Sequence, residues 1–251
     1  MQHWRRLLVV ALIAAPLAWA FWPQALYRDP PRQLPWELPD YREASRSWQV
    51  DENGLIQAHV EHFFLQDISP QMVSWFYQVL PVSTIAYRGE TIPLYHIFHP
   101  TEHGRIRVLE AAADGAEGMG QGALIEREEW FGPYDSRGRA RLREFSSTGM
   151  VAIPEFAGLA MGRIEHRFEQ RQSGTYYTVT STIGSDLPVV GAVLNYYIRN
   201  FMFHPAMMEQ WQRHQVEEVA SLQFFLRALY LQRGEGTRFS LADTPVSTKI
   251  D

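Results

Sequence analysis

The chain has 251 residues, 46% hydrophobic and 20% charged, with a formal net charge of −5 and no cysteine. This suits one large globular domain, or two small ones, able to bury a core without staples. Mild acidity argues against binding a phosphate backbone, and the lack of thiols excludes disulfides, thiolate metal sites and cysteine nucleophiles.

At the N-terminus Arg5 and Arg6 precede an almost purely apolar run, Leu7 to Trp22, broken only by Pro16. Positive charge followed by an apolar stretch is the pattern of a signal peptide or signal anchor, and this run is just long enough to cross a bilayer. Residues 1–22 are therefore expected to hold the protein in the cell membrane with its domain on the periplasmic, extracytoplasmic side. Ala18-Trp19-Ala20 would satisfy a small-x-small cleavage rule, and cleavage after Ala20 would make the protein secreted. Prolines 23, 30, 31, 35 and 39 prevent regular structure, so residues 23–40 read as a stiff linker leading away from the membrane. The folded domain is expected over 41–233, with a polar, loose tail at 234–251.

Within the domain, Ile56, Ala58, Val60 and Phe64 recur with the period of a strand. Ser69 then offers an N-cap and Pro70 a first helical turn, followed by Met72, Val73, Phe76 and Leu80 at helical spacing. From Ile92 to Ile183 the chain reads as successive strands, separated by turn clusters at 113–122, 132–138 and 170–174. The period lengthens again from Val189 to Phe201, an amphipathic helix, and a long helix runs from Pro205 to about Gln232. An antiparallel sheet curled around a long C-terminal helix would bury both apolar faces. It defines an α+β fold of the helix-grip (START/Bet v-like) kind, with a cavity between sheet and helix.

The last helix carries the strongest chemical signal. At roughly 100° per residue, Met207, Trp211, His214, Glu218, Leu222, Phe225 and Leu229 share one stripe. An imidazole and a carboxylate thus lie one turn apart on the face that should be buried, where a carboxylate must be paired, protonated or bound to metal. A plain His–Glu hydrogen bond would satisfy both. The segment from Tyr95 to His103 places His96, His99 and His103 within eight positions, a density that favours a metal. Read as a strand ending at Pro100, it puts Tyr95, Ile97 and His99 on one face. In Gly122 to Phe131, Glu126, Glu128 and Trp130 point one way, and Ile125, Arg127 and Glu129 the other. Two histidines and two carboxylates make a zinc set with an open position, and Mn²⁺ or Fe²⁺ would also accept it. There is no Gly-x-Ser-x-Gly and no phosphate-binding glycine loop.

These stretches, together with Met72-Val73-Ser74-Trp75-Phe76 and Glu165-His166-Arg167-Phe168 before Gly174-Thr175-Tyr176-Tyr177, resemble the zinc hydrolases of the diacetylphloroglucinol hydrolase and phloretin hydrolase family. The likeness runs from about Ile56 to Leu231. It implies a helix-grip fold, one zinc held by two histidines and two glutamates, and hydrolysis of the carbon–carbon bond between an acyl group and a phenolic ring. Carried over by position, the metal ligands are His214, Glu218, Glu128 with Glu126 in reserve, and His99 with His103 and then His96 behind it. His103 and His166 are the candidates for proton transfer, and Tyr95 and Tyr177 for holding a phenolic hydroxyl of the small-molecule substrate. The N-terminal membrane segment departs from the soluble family pattern. The rival expectation is a non-catalytic carrier of a hydrophobic ligand at the membrane surface.

Overall fold

The computed structural model describes residues 25–241 except Ala157, Val189 and Glu235. The expected membrane segment, residues 1–22, lies outside them. Among the described residues no helix is long and apolar enough to cross a membrane.

The alternating burial of Ile56–Glu61 makes it a strand with one face to the core, and the same alternation recurs through the domain. Ten strands form one antiparallel sheet: β1 (Ser45–Val50), β2 (Ile56–Glu61), β3 (Leu65–Gln66), β6 (His103–Glu110), β7 (Leu124–Phe131), β8 (Tyr134–Ser146), β9 (Gly149–Phe156), β10 (Leu159–Ala160), β11 (Gly162–Arg171) and β12 (Gly174–Ile183). The main path is β1-β2-β12-β11-β9-β8-β7-β6, with β3 beside β12 and β10 beside β9. Beside it lies a small sheet of β13 (Arg238–Ser240), β4 (Thr84–Tyr87) and β5 (Glu90–Pro93).

Helix α1 spans Pro70–Val79, starting where the sequence places it: Pro70 occupies the first turn and Ser69 Oγ accepts from Met72 N at 3.3 Å. Removing that cap with Ser69→Ala is expected to lower the unfolding free energy by about 1 kcal/mol, read as a lower urea midpoint at unchanged slope. An unchanged midpoint would show that the cap contributes nothing.

Helix α2 is a single turn, Tyr95–Phe98; α3 spans Val190–Tyr197 and runs into a π-helical segment, Ile198–Met202; α4 is the long closing helix, Pro205–Leu231. The apolar stripe of α4 packs against α1 and the sheet. Phe76 meets Phe225 and Phe98 with ring centroids 5.6 and 5.0 Å apart, and all three are buried in one core cluster. Burying such rings is the largest apolar contribution in a core of this kind.

Three sequence expectations change. Tyr95–Phe98 is a helical turn rather than the end of a strand, which explains why four consecutive side chains are buried with no alternation. The loose tail is ordered at its start: β13 pairs in parallel with β4, and Phe239 sits edge-on to Trp75 at 5.5 Å. The proline segment has no regular structure as far as it is described, yet it lies on the domain rather than leading away from it. Trp36 stacks on Phe224 at 5.5 Å, and Arg28 binds Asp135. An indole and a guanidinium so placed recover by contact what the prolines deny in backbone hydrogen bonds.

Candidate metal centre and cavity

Strand register decides which charged residues meet. His103 opens β6 and lies directly opposite Glu129 on β7, so the two share a sheet face. Helix α4 brings His214 and Glu218 to that face. The ligand-capable atoms of His103, Glu129 and His214 all lie within 4.8 Å of one another. Glu218 Oε2 is 3.3 Å from His103 Nε2 and 3.8 Å from His214 Nε2.

The hydrogen bonds behind the rings fix their tautomers. His103 Nδ1 is 2.8 Å from Tyr95 O, and a carbonyl can only accept, so Nδ1 carries the proton. His214 Nδ1 lies 2.9 Å from Glu102 Oε2, and Glu102 Oε1 accepts from Arg213 Nη2 and from Gly132 N, the latter at 2.8 Å. The two Nε2 atoms face each other at 3.2 Å, and a neutral ring at either position turns its Nε2 lone pair toward the other. Two neutral rings at that distance, beside two carboxylates, need a cation or a proton among them. The spacing is close to the roughly 3.3 Å between two imidazole ligands on a tetrahedral zinc ion. Nitrogen and oxygen donors without sulfur suit Zn²⁺ and also Mn²⁺ or Fe²⁺. The residues present fit a divalent metal.

The electrostatics agree. Burial, with the charges of His99 and His103 behind it, pushes the His214 imidazole well below its ordinary range, so it stays neutral and able to ligate. Burial raises the Glu218 carboxyl, against the opposing effect of its hydrogen bond to His103. Burial also acts to raise Glu129, but the charge of Arg127, with Nη1 3.0 Å from Glu129 Oε2, overcomes it and holds the group low. Tyr95 Oη donates to Glu129 Oε1 and orients it.

Of the residues expected from sequence, His214 and Glu218 lie in this cluster, and so does His103, in a ligand's position rather than that of a free acid or base. Both of its ring nitrogens are engaged. Glu128 is not in the cluster. It points to the opposite sheet face and pairs with Arg105 and Arg137, as Glu126 pairs with Arg107 and Arg139. The alternation along β7 is as expected, but Glu129 rather than Glu128 is on the inner face. His99 stacks on the His214 ring at 4.4 Å, with its Nε2 3.2 Å from Glu217 Oε2 and 3.7 Å from Glu102 Oε2; with Glu102 and His214 it forms a second group whose ligand-capable atoms lie within 4.8 Å of one another. His96 bonds Gly104 O at 2.6 Å, away from the cluster. Tyr95 is committed to Glu129. Tyr177 is fully buried, its hydroxyl bridging Tyr77 at 2.8 Å and His166 Nδ1 at 2.6 Å. Of those three, Tyr77 and His166 line the cavity. Sequence reasoning missed Glu102, Arg213 and Glu217; the i,i+4 spacing of Arg213 and Glu217 was the available signal.

Gly132 shows how the turn serves the site. It takes φ +58°, a left-handed conformation, and a Cβ there would sit 2.9 Å from Gln210 Oε1. Its N–H thereby reaches Glu102, the residue that holds His214.

A cavity of about 220 Å³ opens from this cluster between sheet and helices, with Glu129, Glu218, Arg127 and Tyr95 among its polar lining. Leu142, Met150, Ile164, Ile198, Phe203 and Trp211 contribute apolar wall. Its volume suits a single small ring compound.

No protein-family model matches the sequence, and no curated protein does. Similar solved structures include the protein Ms6760 from Mycobacterium smegmatis, 11% identical with a TM-score of 0.44, over 71% of this chain and 96% of that one. Ara h 8.0201 is 12% identical with a TM-score of 0.39, over 67% of this chain and 98% of its own. Human STARD10 is 10% identical with a TM-score of 0.35, over 94% of this chain and 92% of its own.

Proposed function

We propose that this protein binds a small apolar or aromatic compound in the cavity and hydrolyses a bond beside one of its carbonyls, with a divalent metal held by His103, Glu129, His214 and Glu218. The observation that carries the reading is the pair of imidazole Nε2 atoms facing each other at 3.2 Å with a carboxylate alongside. A metal bound there supplies a Lewis acid for a carbonyl oxygen and lowers the pKa of water. The chain's own residues do the rest. Arg127 holds Glu129 in place, and its buried charge faces the cavity where negative charge on a ligand oxygen would be stabilised. His166 is kept neutral by burial and by Arg127, and with the hydroxyls of Tyr177 and Tyr77 it offers a hydrogen-bonding row at the cavity wall that can orient a polar group of the ligand. Two of the four ligands implied by the likeness to the diacetylphloroglucinol and phloretin hydrolases, His214 and Glu218, are in this set.

The carrier reading draws on the apolar cavity wall, which would capture a hydrophobic ligand without any reaction. One experiment separates the two. The purified full chain is analysed for Zn, Mn and Fe, then offered an acylated phenol before and after chelation. About one ion per chain, and turnover that chelation abolishes, are expected. Saturable binding of the phenol with only trace metal and no turnover would replace the hydrolase with the carrier.

A further inference from the structure

The segment from Leu187 to Phe203, which includes α3 and the π-helical turn, contains a single charged residue, Arg199. Of the ten large apolar side chains exposed among the described residues, five belong to it: Leu187, Val193, Tyr196, Phe201 and Met202. Val193 and Phe201 are 69% and 63% exposed. The other side of the segment is spoken for, since Leu194, Tyr197, Ile198 and Phe203 line the cavity, with Met202 at its rim. Packing alone explains the inner set. It does not explain an outer set this dense, which in a soluble surface would be costly to hydrate.

What covers it follows from where the N-terminal chain leaves the domain. Leu26 N donates to Asp135 Oδ2 at 2.9 Å, and Arg28 donates to Asp135 Oδ1, Gly132 O and Pro133 O at 2.8 to 3.0 Å. The chain is thus tied to the β7–β8 turn only a few residues after the apolar run ends at Trp22. Next to Asp135, Tyr134 packs its ring edge-on to His204 at 5.0 Å, immediately beyond the π-helical segment. The exit of the apolar run and the exposed apolar patch therefore lie at the same end of the molecule.

We propose that Leu187–Phe203 docks on the surface of the bilayer that holds the N-terminal segment, with Val193, Tyr196, Phe201 and Met202 entering the headgroup and acyl boundary. The cavity roof then lies against the membrane, and an apolar substrate reaches the site from the lipid phase. This rests on reading residues 1–22 as a membrane segment. The outer side offers aromatic and aliphatic side chains with one basic residue and no acidic one, so no negative charge on it opposes an anionic headgroup boundary. Arg199, half-buried over the Tyr196 ring at 5.6 Å with its guanidinium beside Gly54, is the segment's one positive charge.

The absence of cysteine allows single-site labelling of the full chain. Val193→Cys, Phe201→Cys and Leu231→Cys would each carry an environment-sensitive fluorophore, in vesicles of phosphatidylcholine and phosphatidylglycerol. Leu231 ends α4, about 40 Å along the helix from Pro205. Co-flotation with vesicles reports the N-terminal segment; the labels report the patch. Blue-shifted emission at 193 and 201, quenched by a lipid-borne quencher, with a water-like signal at 231, is expected. Flotation with all three labels equally open to aqueous iodide would overturn the docking surface and leave the anchor. Failure to float would overturn both. Protection at 193 and 201 without lipid quenching, together with disulfide cross-linking between unlabelled Val193→Cys copies, would assign the patch to a dimer instead.

Discussion

His214→Ala is expected to reduce bound metal from about one ion per chain to trace and to lower hydrolysis by on the order of 10³-fold or more, since the loss removes several kcal/mol of charge stabilisation. The reason lies in the tautomers. His214 Nε2 is one of two facing imidazole nitrogens at the centre of the cluster, and its Nδ1 is held by Glu102, which Arg213 and Gly132 hold in turn. Truncation removes one ligand and leaves Glu102 still partnered, so folding should survive; far-ultraviolet circular dichroism checks this. A second measurement separates site from scaffold. Metal bound only by the folded state adds about 4 kcal/mol at a thousandfold excess over its Kd, so added zinc should raise the melting point of the wild type and not of the variant. His99→Ala and Glu128→Ala are the contrasting cases. Glu128 pairs with surface arginines, and His99 belongs with Glu102 and Glu217 on the Nδ1 side of His214, so an ion held by the His103, Glu129 and His214 group should stay in both variants. Metal retained in His214→Ala, or lost in Glu128→Ala, would rule out the assigned ligand set.

That contrast shows where sequence reasoning stops. The helix ligands were legible because a helix has one period and one buried stripe: seven positions from Met207 to Leu229 converge, and His214 and Glu218 fall among them. The α1 cap was legible for the same local reason. A strand offers two faces, and alternation cannot say which is inward. Glu126 and Glu128 face out because Arg107, Arg137 and Arg139 stand opposite them across the register, whereas Glu129 faces His103. The paired spacing of Arg105 with Arg107, and of Arg137 with Arg139, matches that of Glu126 with Glu128. It marks one outer ladder spread over three strands, but only once the strands are known to be neighbours. The histidine cluster was misread for a different reason. Tyr, Ile and Phe favour strands, and tertiary burial turned Tyr95–Phe98 into a helical turn instead. That turn carries His99 aside and leaves His103 to open β6.

Between pH 7.5 and pH 5 the chelated protein is expected to lose roughly 4 kcal/mol of stability from two histidines outside the proposed ligand set. Burial, with the charges of His166 and His59 added, lowers His62 from its ordinary 6.5 to about 3. Burial and the nearby Arg127 lower His166 equally far. The sign follows from linkage. The unfolded chain takes up protons near pH 6.5 while the folded chain does not, so this stability is fully present above that value and is lost as the pH falls toward 3. At pH 5 each histidine accounts for about 2 kcal/mol. His62 allows a clean test because neither of its ring nitrogens has a hydrogen-bond partner, while its ring packs on Tyr177 at 4.7 Å. His62→Phe keeps the ring and removes the titration together with a buried, unsatisfied N–H. Urea unfolding at both pH values should therefore show the variant at least as stable as the wild type at pH 7.5, and ahead by about 2 kcal/mol more at pH 5. Equal pH slopes in the two proteins would mean that His62 takes up its proton in the folded state, and that the wall behind Tyr177 is wetter than its packing implies.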